Sequence, residues 1–204
     1  ALFNALFQTG FLTAVPFAYY AYKYRKSRGF FAWLGVCRPQ GRTMGLALLF
    51  TVAGMVVWSA AFSLPGLRQV AIAPNTVAGQ LREAGFGVVT LTVMIIQVFL
   101  QTALSEEIFF RGFLARRLIH WLGFAAGNLI QALIFGLVHL NLFLSPEGPA
   151  LTVSSALPVL LLTGAFGWGM GFLNERLGNG SIAPAWLVHG LSNLAAFSLL
   201  AFVL

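Results

Sequence analysis

Six long apolar stretches constrain the fold of this chain more than any other feature. Each has about 20 residues, the length that an α-helix needs to cross the hydrocarbon core of a bilayer. They cover residues 1–22, 43–62, 86–108, 124–144, 151–173 and 182–204. Only 8% of the residues are charged, against about 25% in soluble domains, so lipid must cover much of the apolar surface. The sequence therefore predicts an all-α, polytopic bundle of about six transmembrane helices in a lipid bilayer.

The Lys and Arg residues between these stretches predict how the bundle is oriented. The second connection contains Arg68 and Arg82, and the fourth contains no basic residue. The other ten lie in or beside the first, third and fifth connections: Lys23, Arg25, Lys26, Arg28, Arg38, Arg42, Arg111, Arg116, Arg117 and Arg176. Because short loops rich in Lys and Arg stay in the cytoplasm, we expect the odd connections inside and both chain ends outside. The same distribution explains the net charge of +7, and we expect no nucleic-acid binding.

Two adjacent glutamates interrupt the third apolar stretch. Glu107 and Arg111 are four residues apart, so on a helix they share a face, with Glu on the N-terminal side as such ion pairs prefer. Glu106 is rotated by about 100° from Glu107 and is expected to point elsewhere. The pattern predicts one structural ion pair, Glu107 with Arg111, and one free carboxylate, Glu106, directed into the bundle. The alternative is a solvated helix end.

Three polar residues in the later stretches lie where they can meet Glu106. An antiparallel helix pair around a predicted turn at about Gly123 brings His139 to the depth of Glu106. His189 and Asn193 are four residues apart and share a face of the last helix. We expect these four side chains to form a polar site inside the bilayer. Each His or Asn alone can be a packing residue, but burying a Glu costs about 2.5–3.5 kcal/mol, which favours a functional site.

The polar residues form three motifs in a fixed order: Glu106-Glu107-x-x-x-Arg111, Phe135-x-x-x-His139 and His189-x-x-x-Asn193. Together they resemble the motifs of the CAAX-protease and bacteriocin-processing family, also labelled Abi. Its members are glutamic-type intramembrane endopeptidases related to the Ras-converting prenyl-protein proteases. The resemblance covers about residues 106–193, and we expect one transmembrane domain over residues 1–204 with a motif-bearing core at about 86–204. It implies an all-helical membrane fold and hydrolysis of a peptide bond by a glutamate-activated water.

The chemistry of the motif residues predicts a role for each. We expect Glu106 to act as the general base and His139 to orient or share the attacking water. His189 and Asn193 would donate hydrogen bonds to the tetrahedral oxyanion, which is worth about 10²–10³-fold in rate for one donor. The substrate would be a membrane-associated protein or peptide, and no cofactor is expected. The residues expected to support the site are Glu107, Arg111 and Phe135.

Three alternatives stay open at this point. Glu106, His139 and His189 can supply three ligands to zinc and leave water in the fourth position, as in a metalloprotease. A non-catalytic immunity or peptide-binding protein can use the same polar cluster, and a transporter is the third alternative. Aspartyl proteases are excluded because the chain has no Asp. Zinc site-2 proteases need the sequence H-E-x-x-H, which is absent.

The predicted site is expected to open toward the cytoplasm, in a multi-pass protein of a prokaryotic plasma membrane. The polar segment 105–121 offers water a path to Glu106, and hydrolysis inside a bilayer needs such a path. His189 lies about 10 Å past the start of its helix on the same side. The alternative is that segment 105–121 is an amphipathic helix at the membrane interface, with the site facing outward or sealed.

Overall fold

The chain folds into a bundle of helices, which account for 81% of it in a computed structural model. The structure describes residues 1–204, apart from the side chain of Pro65, and this described part contains no strand. The α-helices are α1 Leu2–Tyr24, α2 Phe30–Trp33, α3 Gly41–Phe62, α4 Pro65–Ala71, α5 Val77–Ala84, α6 Val88–Ile96, α7 Arg116–His139, α8 Val153–Phe172 and α9 Ala183–Phe202. Three π-helical segments cover Gln97–Leu104, Glu107–Ala115 and Leu173–Leu177, and a 3₁₀-helix covers Leu140–Leu144.

The number of long apolar helices differs from the predicted six. In the described part of the chain, four helical elements are long and apolar enough to cross a membrane: Gly41–Phe62, Val88–Leu144, Val153–Leu177 and Ala183–Phe202. One of them, Val88–Leu144, joins two predicted stretches in a single helical path of 57 residues. Helix α1 has 23 residues, but polar residues such as Asn4 and Gln8 lower its mean hydropathy. The predicted all-α membrane bundle is confirmed, with this correction to the helix count.

The outer surface of the bundle is apolar, as a lipid environment requires. Phe3 on α1 is 78% exposed, Val56 on α3 is 66% exposed and Leu161 on α8 is 57% exposed. Burial of large apolar side chains is the main driving force for folding in water, so a soluble protein would not leave so many of them uncovered. Their exposure on several helices is consistent with a surface that faces acyl chains.

Gly123 divides the long path Val88–Leu144 into two arms. Its φ of 77° and ψ of 167° lie in a backbone region that glycine adopts far more readily than other residues. Beyond Gly123, α7 runs back along the first arm, so that the rings of Phe110 and Phe135 lie 5.0 Å apart. The structure thus has a turn at the predicted residue. Glu106 and His139 lie at nearly equal chain distances from it.

Arg116 holds together three connections at one end of the bundle. Its Nη1 donates to Trp33 O at 2.6 Å, and its Nη2 donates to Gly180 O at 2.5 Å. Its Nε forms an ion pair with Glu175 Oε1 at 3.2 Å. This end, called the basic end below, consists of residues 25–40, 116–123 and 173–182. The charge distribution of the sequence predicted that these connections share one side of the membrane.

The opposite end is formed by the remaining connections. There, Asn75 Nδ2 donates to Leu142 O at 2.7 Å, and Arg82 Nη1 donates to Leu200 O at 3.3 Å. The short helices α4 and α5 belong to this end, where the sequence predicted a loop. The long helices therefore alternate in direction between two separate ends, and the motif residues lie between them.

Candidate active site

A buried ion pair anchors the site. Glu107 is 0% exposed and Arg111 is 1% exposed, and Arg111 Nη1 lies 3.0 Å from Glu107 Oε1. The guanidinium carbon of Arg111 lies 4.0 Å from the ring centroid of Phe135. Gly167 on α8 leaves room for both groups, because a Cβ there would lie 2.9 Å from Phe135 Cδ1 and 3.1 Å from Arg111 Nη2. The sequence predicted this pair from the four-residue spacing.

His189 stands between the two adjacent glutamates. Its Nδ1 lies 3.0 Å from Glu107 Oε1, and its Nε2 lies 3.9 Å from Glu106 Oε2. Since an ionised carboxylate only accepts hydrogen bonds, Nδ1 is the donor in the shorter contact. Glu107 Oε1 therefore contacts both Arg111 and His189. His189 is buried.

In an ideal α-helix, Glu106 and Glu107 would point in different directions. In the structure, both point toward His189. Both reach the same imidazole ring, from opposite sides. The chain around them is π-helical, and its i→i+5 hydrogen bonds put more residues into each turn. Successive side chains are therefore separated by a smaller angle than the 100° assumed from the sequence. Glu106 is 21% exposed, and its Oε2 accepts no hydrogen bond from the described residues.

His139 reaches the site through Phe135. Its Nδ1 donates to Phe135 O at 2.7 Å, which leaves its Nε2 as the free acceptor. The ring of Phe135 lies 4.6 Å from the His139 ring and 6.0 Å from the His189 ring, measured between centroids. Among the described residues, no hydrogen bond or ion pair joins His139 to Glu106. Phe135 therefore packs against both histidines, beside the Arg111 guanidinium.

Asn193 is bound to a residue that the sequence interpretation missed. Asn193 lies one turn beyond His189 on α9, and its Nδ2 donates to Thr102 Oγ1 at 3.3 Å. Thr102 lies on the first π-helical segment, four residues before Glu106. That spacing is the signal that could have identified Thr102, because residues four apart on a helix share a face. Thr102 thus directs the Asn193 amide toward the helix that carries the glutamates.

Comparison with protein families identifies the chain. A family model described as type II CAAX prenyl endopeptidase Rce1-like matches residues 88–195, more than half of the chain, and all seven motif residues lie in this range. The chain belongs to this Rce1-like family. Membership confirms the family predicted from the three motifs and implies a CAAX-type intramembrane peptidase. No curated protein and no solved structure matches the chain.

The Rce1-like family and the apolar helices together identify an integral membrane protein with a membrane-associated substrate. The zinc alternative requires three side chains that can share one ion. In the described part of the chain, no three His, Cys or Glu side chains lie close enough together to share one ion. For Glu106, His139 and His189 to act as zinc ligands, His139 would have to move toward the other two.

Two clefts of the described residues lie away from the Rce1-like motifs. One, of about 600 Å³, is bordered by Arg68, Gln69 and Leu199, and the other, of about 160 Å³, by Gln80 and Gln97. Neither is lined by a predicted site residue. Glu106 and His189 lie side by side, and the polar site that they would share with His139 stays a prediction.

Proposed function

We propose that this chain is a glutamic-type intramembrane endopeptidase that hydrolyses a peptide bond of a membrane-associated protein or peptide. One observation carries the proposal: a buried imidazole, His189, lies between two adjacent carboxylates of which Glu107 is bound to Arg111 and Glu106 is not. Buried carboxylates are expensive in a membrane and mark functional sites. Of the two glutamates, only Glu107 is paired with an arginine among the described residues, which supports proton transfer by Glu106 and a supporting role for Glu107.

The proposed reaction begins with a water molecule bound by Glu106. The carboxylate takes a proton from this water, whose oxygen attacks the carbonyl carbon of the substrate. His139 orients the water through its Nε2, which is free because Nδ1 is bound to Phe135 O. When the tetrahedral intermediate collapses, the C–N bond breaks and Glu106 returns the proton to the leaving amine. No covalent enzyme intermediate and no metal ion are needed.

The oxyanion of the intermediate is stabilised by His189 and Asn193. Because Nδ1 of His189 donates to Glu107, Nε2 must also carry a proton for His189 to donate to the oxyanion. The Asn193 amide supplies a second donor, in a position fixed by Thr102. Preorganised donors of this kind lower the barrier because they do not reorient when charge develops.

The family description suggests the first substrate to test, a peptide with a prenylated CAAX ending. A farnesylated CAAX peptide carrying a fluorescent reporter is the probe, and the same peptide without the farnesyl group shows whether the lipid is required. Comparison of protein N-termini in membranes with active or inactive protein identifies other substrates.

The deciding variant is Glu106→Gln, which keeps the size of the side chain and removes the base. We expect cleavage to disappear while binding of the probe is retained. Glu147→Gln is the control, because Glu147 is exposed in the connection after α7. This variant should cleave the probe at the normal rate. Full cleavage by Glu106→Gln would contradict the mechanism, and probe binding without cleavage by the unaltered protein would favour a non-catalytic peptide-binding protein. Loss of activity on chelation with zinc present in the purified protein would favour the metalloprotease.

We also propose that the basic end faces the cytoplasm of a prokaryotic cell, so that the substrate is cut near that membrane face. The proposal is supported by the grouping of the Lys- and Arg-rich connections at one end of the bundle. Arg116 connects three of these segments. They therefore share one side of the membrane, whether that side is the cytoplasm or the outside.

A further inference from the structure

Three consecutive backbone carbonyls of the first π-helical segment are bound by side chains from other helices. The contacts join Phe99 O to Trp186 Nε1, Leu100 O to Thr9 Oγ1, and Gln101 O to Gln8 Nε2, at 2.8, 3.0 and 2.9 Å. Long π-helical segments are rare, since the geometry is less favourable than that of an α-helix. A segment of eight residues therefore depends on contacts from outside, and here α1 and α9 provide them.

Gln8 extends these contacts to the residue next to Glu106. Its Nε2 also lies 3.2 Å from Ser105 Oγ, and its Oε1 accepts from Gln101 Nε2 at 3.3 Å. Ser105 is fully buried and donates through its hydroxyl to Gln101 O. One amide of α1 is therefore joined to both ends of the turn that leads directly into Glu106.

We propose that Gln8 and Thr9 of α1 are positioning residues for Glu106, an inference that rests on the proposed function. They hold the first π-helical segment in the conformation that turns Glu106 toward His189. If the segment relaxed to an α-helix, its hydrogen bonds would change from i→i+5 to i→i+4. The resulting shift by one residue would rotate Glu106 by about 100°. A displacement of even 1 Å can reduce the rate of a catalysed step about 10²-fold. Helix α1 lies outside the matched residues 88–195, so the family motifs do not account for it.

The variants that test this inference are Gln8→Met and Thr9→Val, which remove a hydrogen-bond donor at nearly constant volume. The control is Asn4→Leu, because Asn4 is a polar but exposed residue on the same helix. With the farnesylated CAAX peptide, we expect each test variant to lower kcat about tenfold, the equivalent of one hydrogen bond. KM should match that of Asn4→Leu. A raised KM with unchanged kcat would overturn the positioning role.

A second measurement is independent of cleavage. Hydrogen exchange of the backbone amides in residues 100–108 should be faster in Gln8→Met than in Asn4→Leu. Unchanged exchange in both Gln8→Met and Thr9→Val would show that the contacts from α1 do not stabilise the π-helical segment. Faster exchange with unchanged kcat would overturn the positioning role. If no form of the protein cleaves any peptide, the proposed function and the positioning role fail together, while the exchange result still shows whether α1 stabilises the π-helical segment. Thr9→Val decides the case if Gln8→Met does not fold.

Discussion

Glu107 and His189 are joined through Oε1 and Nδ1 at 3.0 Å, although 82 residues separate them in the chain. The same Glu107 oxygen lies 3.0 Å from Arg111 Nη1. One carboxylate atom thus connects a cation on its own helix with an imidazole on α9. This oxygen also fixes which nitrogen of His189 faces Glu106.

The first prediction concerns the stability of this buried pair. Glu107→Gln removes the negative charge and leaves the buried Arg111 guanidinium uncompensated, which should cost about 3–5 kcal/mol of unfolding free energy. The double variant Glu107→Gln with Arg111→Met removes both charges and should recover most of this loss. Denaturant unfolding in detergent micelles measures both. Equal losses in the single and the double variant would show that the ion pair does not explain the stability of the site.

A second prediction uses the close packing of α8 against the site. Gly167→Ala would place a methyl group 2.9 Å from Phe135 Cδ1 and 3.1 Å from Arg111 Nη2, so the Phe135 ring or the Arg111 guanidinium must shift. We expect a loss of about 1–3 kcal/mol in stability, as is usual for overpacked cores, together with a lower kcat. Gly45→Ala on α3 is the control, because a methyl group there meets no atom within 4 Å. Unchanged unfolding and cleavage in Gly167→Ala would show that the packing of Phe135 and Arg111 against α8 does not support the site.

The third prediction tests orientation with the only cysteine of the sequence. Cys37 is exposed at the basic end. In intact cells it should be protected from a thiol reagent that cannot cross the membrane, and it should react once the cells are opened. In a Cys37→Ser background, Glu147→Cys at the opposite end should react in intact cells. The reverse pattern would show that the basic end faces outward and that the substrate approaches from there.

The sequence predicts the helices well where local composition determines them. The stretch predicted at 43–62 is observed as Gly41–Phe62, since an apolar run long enough to span a bilayer has few alternatives to a helix. The turn predicted at about Gly123 is also observed, and its positive φ suits a glycine. Helix α1 was included among the predicted spans, but its polar residues are used in contacts with the first π-helical segment, which its own sequence does not reveal.

The site was less accessible to sequence reasoning than the fold. Spacing along one helix predicted the Glu107–Arg111 pair, since both residues belong to the same turn. The contact of Glu107 with His189 depends on the π-helical geometry around Glu106, and apolar periodicity does not distinguish a π-helix from an α-helix. The position of Phe135 between two histidines depends on side-chain rotamers and on the space left by Gly167, which is a property of the packed bundle.

The bend at Gly123 packs the two arms of Val88–Leu144 against each other, and this has an evolutionary consequence. Phe110 faces Phe135 across the bend, so one residue added to either arm would shift two motifs past each other by about 1.5 Å. Insertions in this region are tolerated only when both arms lengthen together. Length variation among related chains should therefore accumulate at the opposite end, in the connections around α4 and α5, while any residues added between Glu106 and His139 should be divided equally between the two arms.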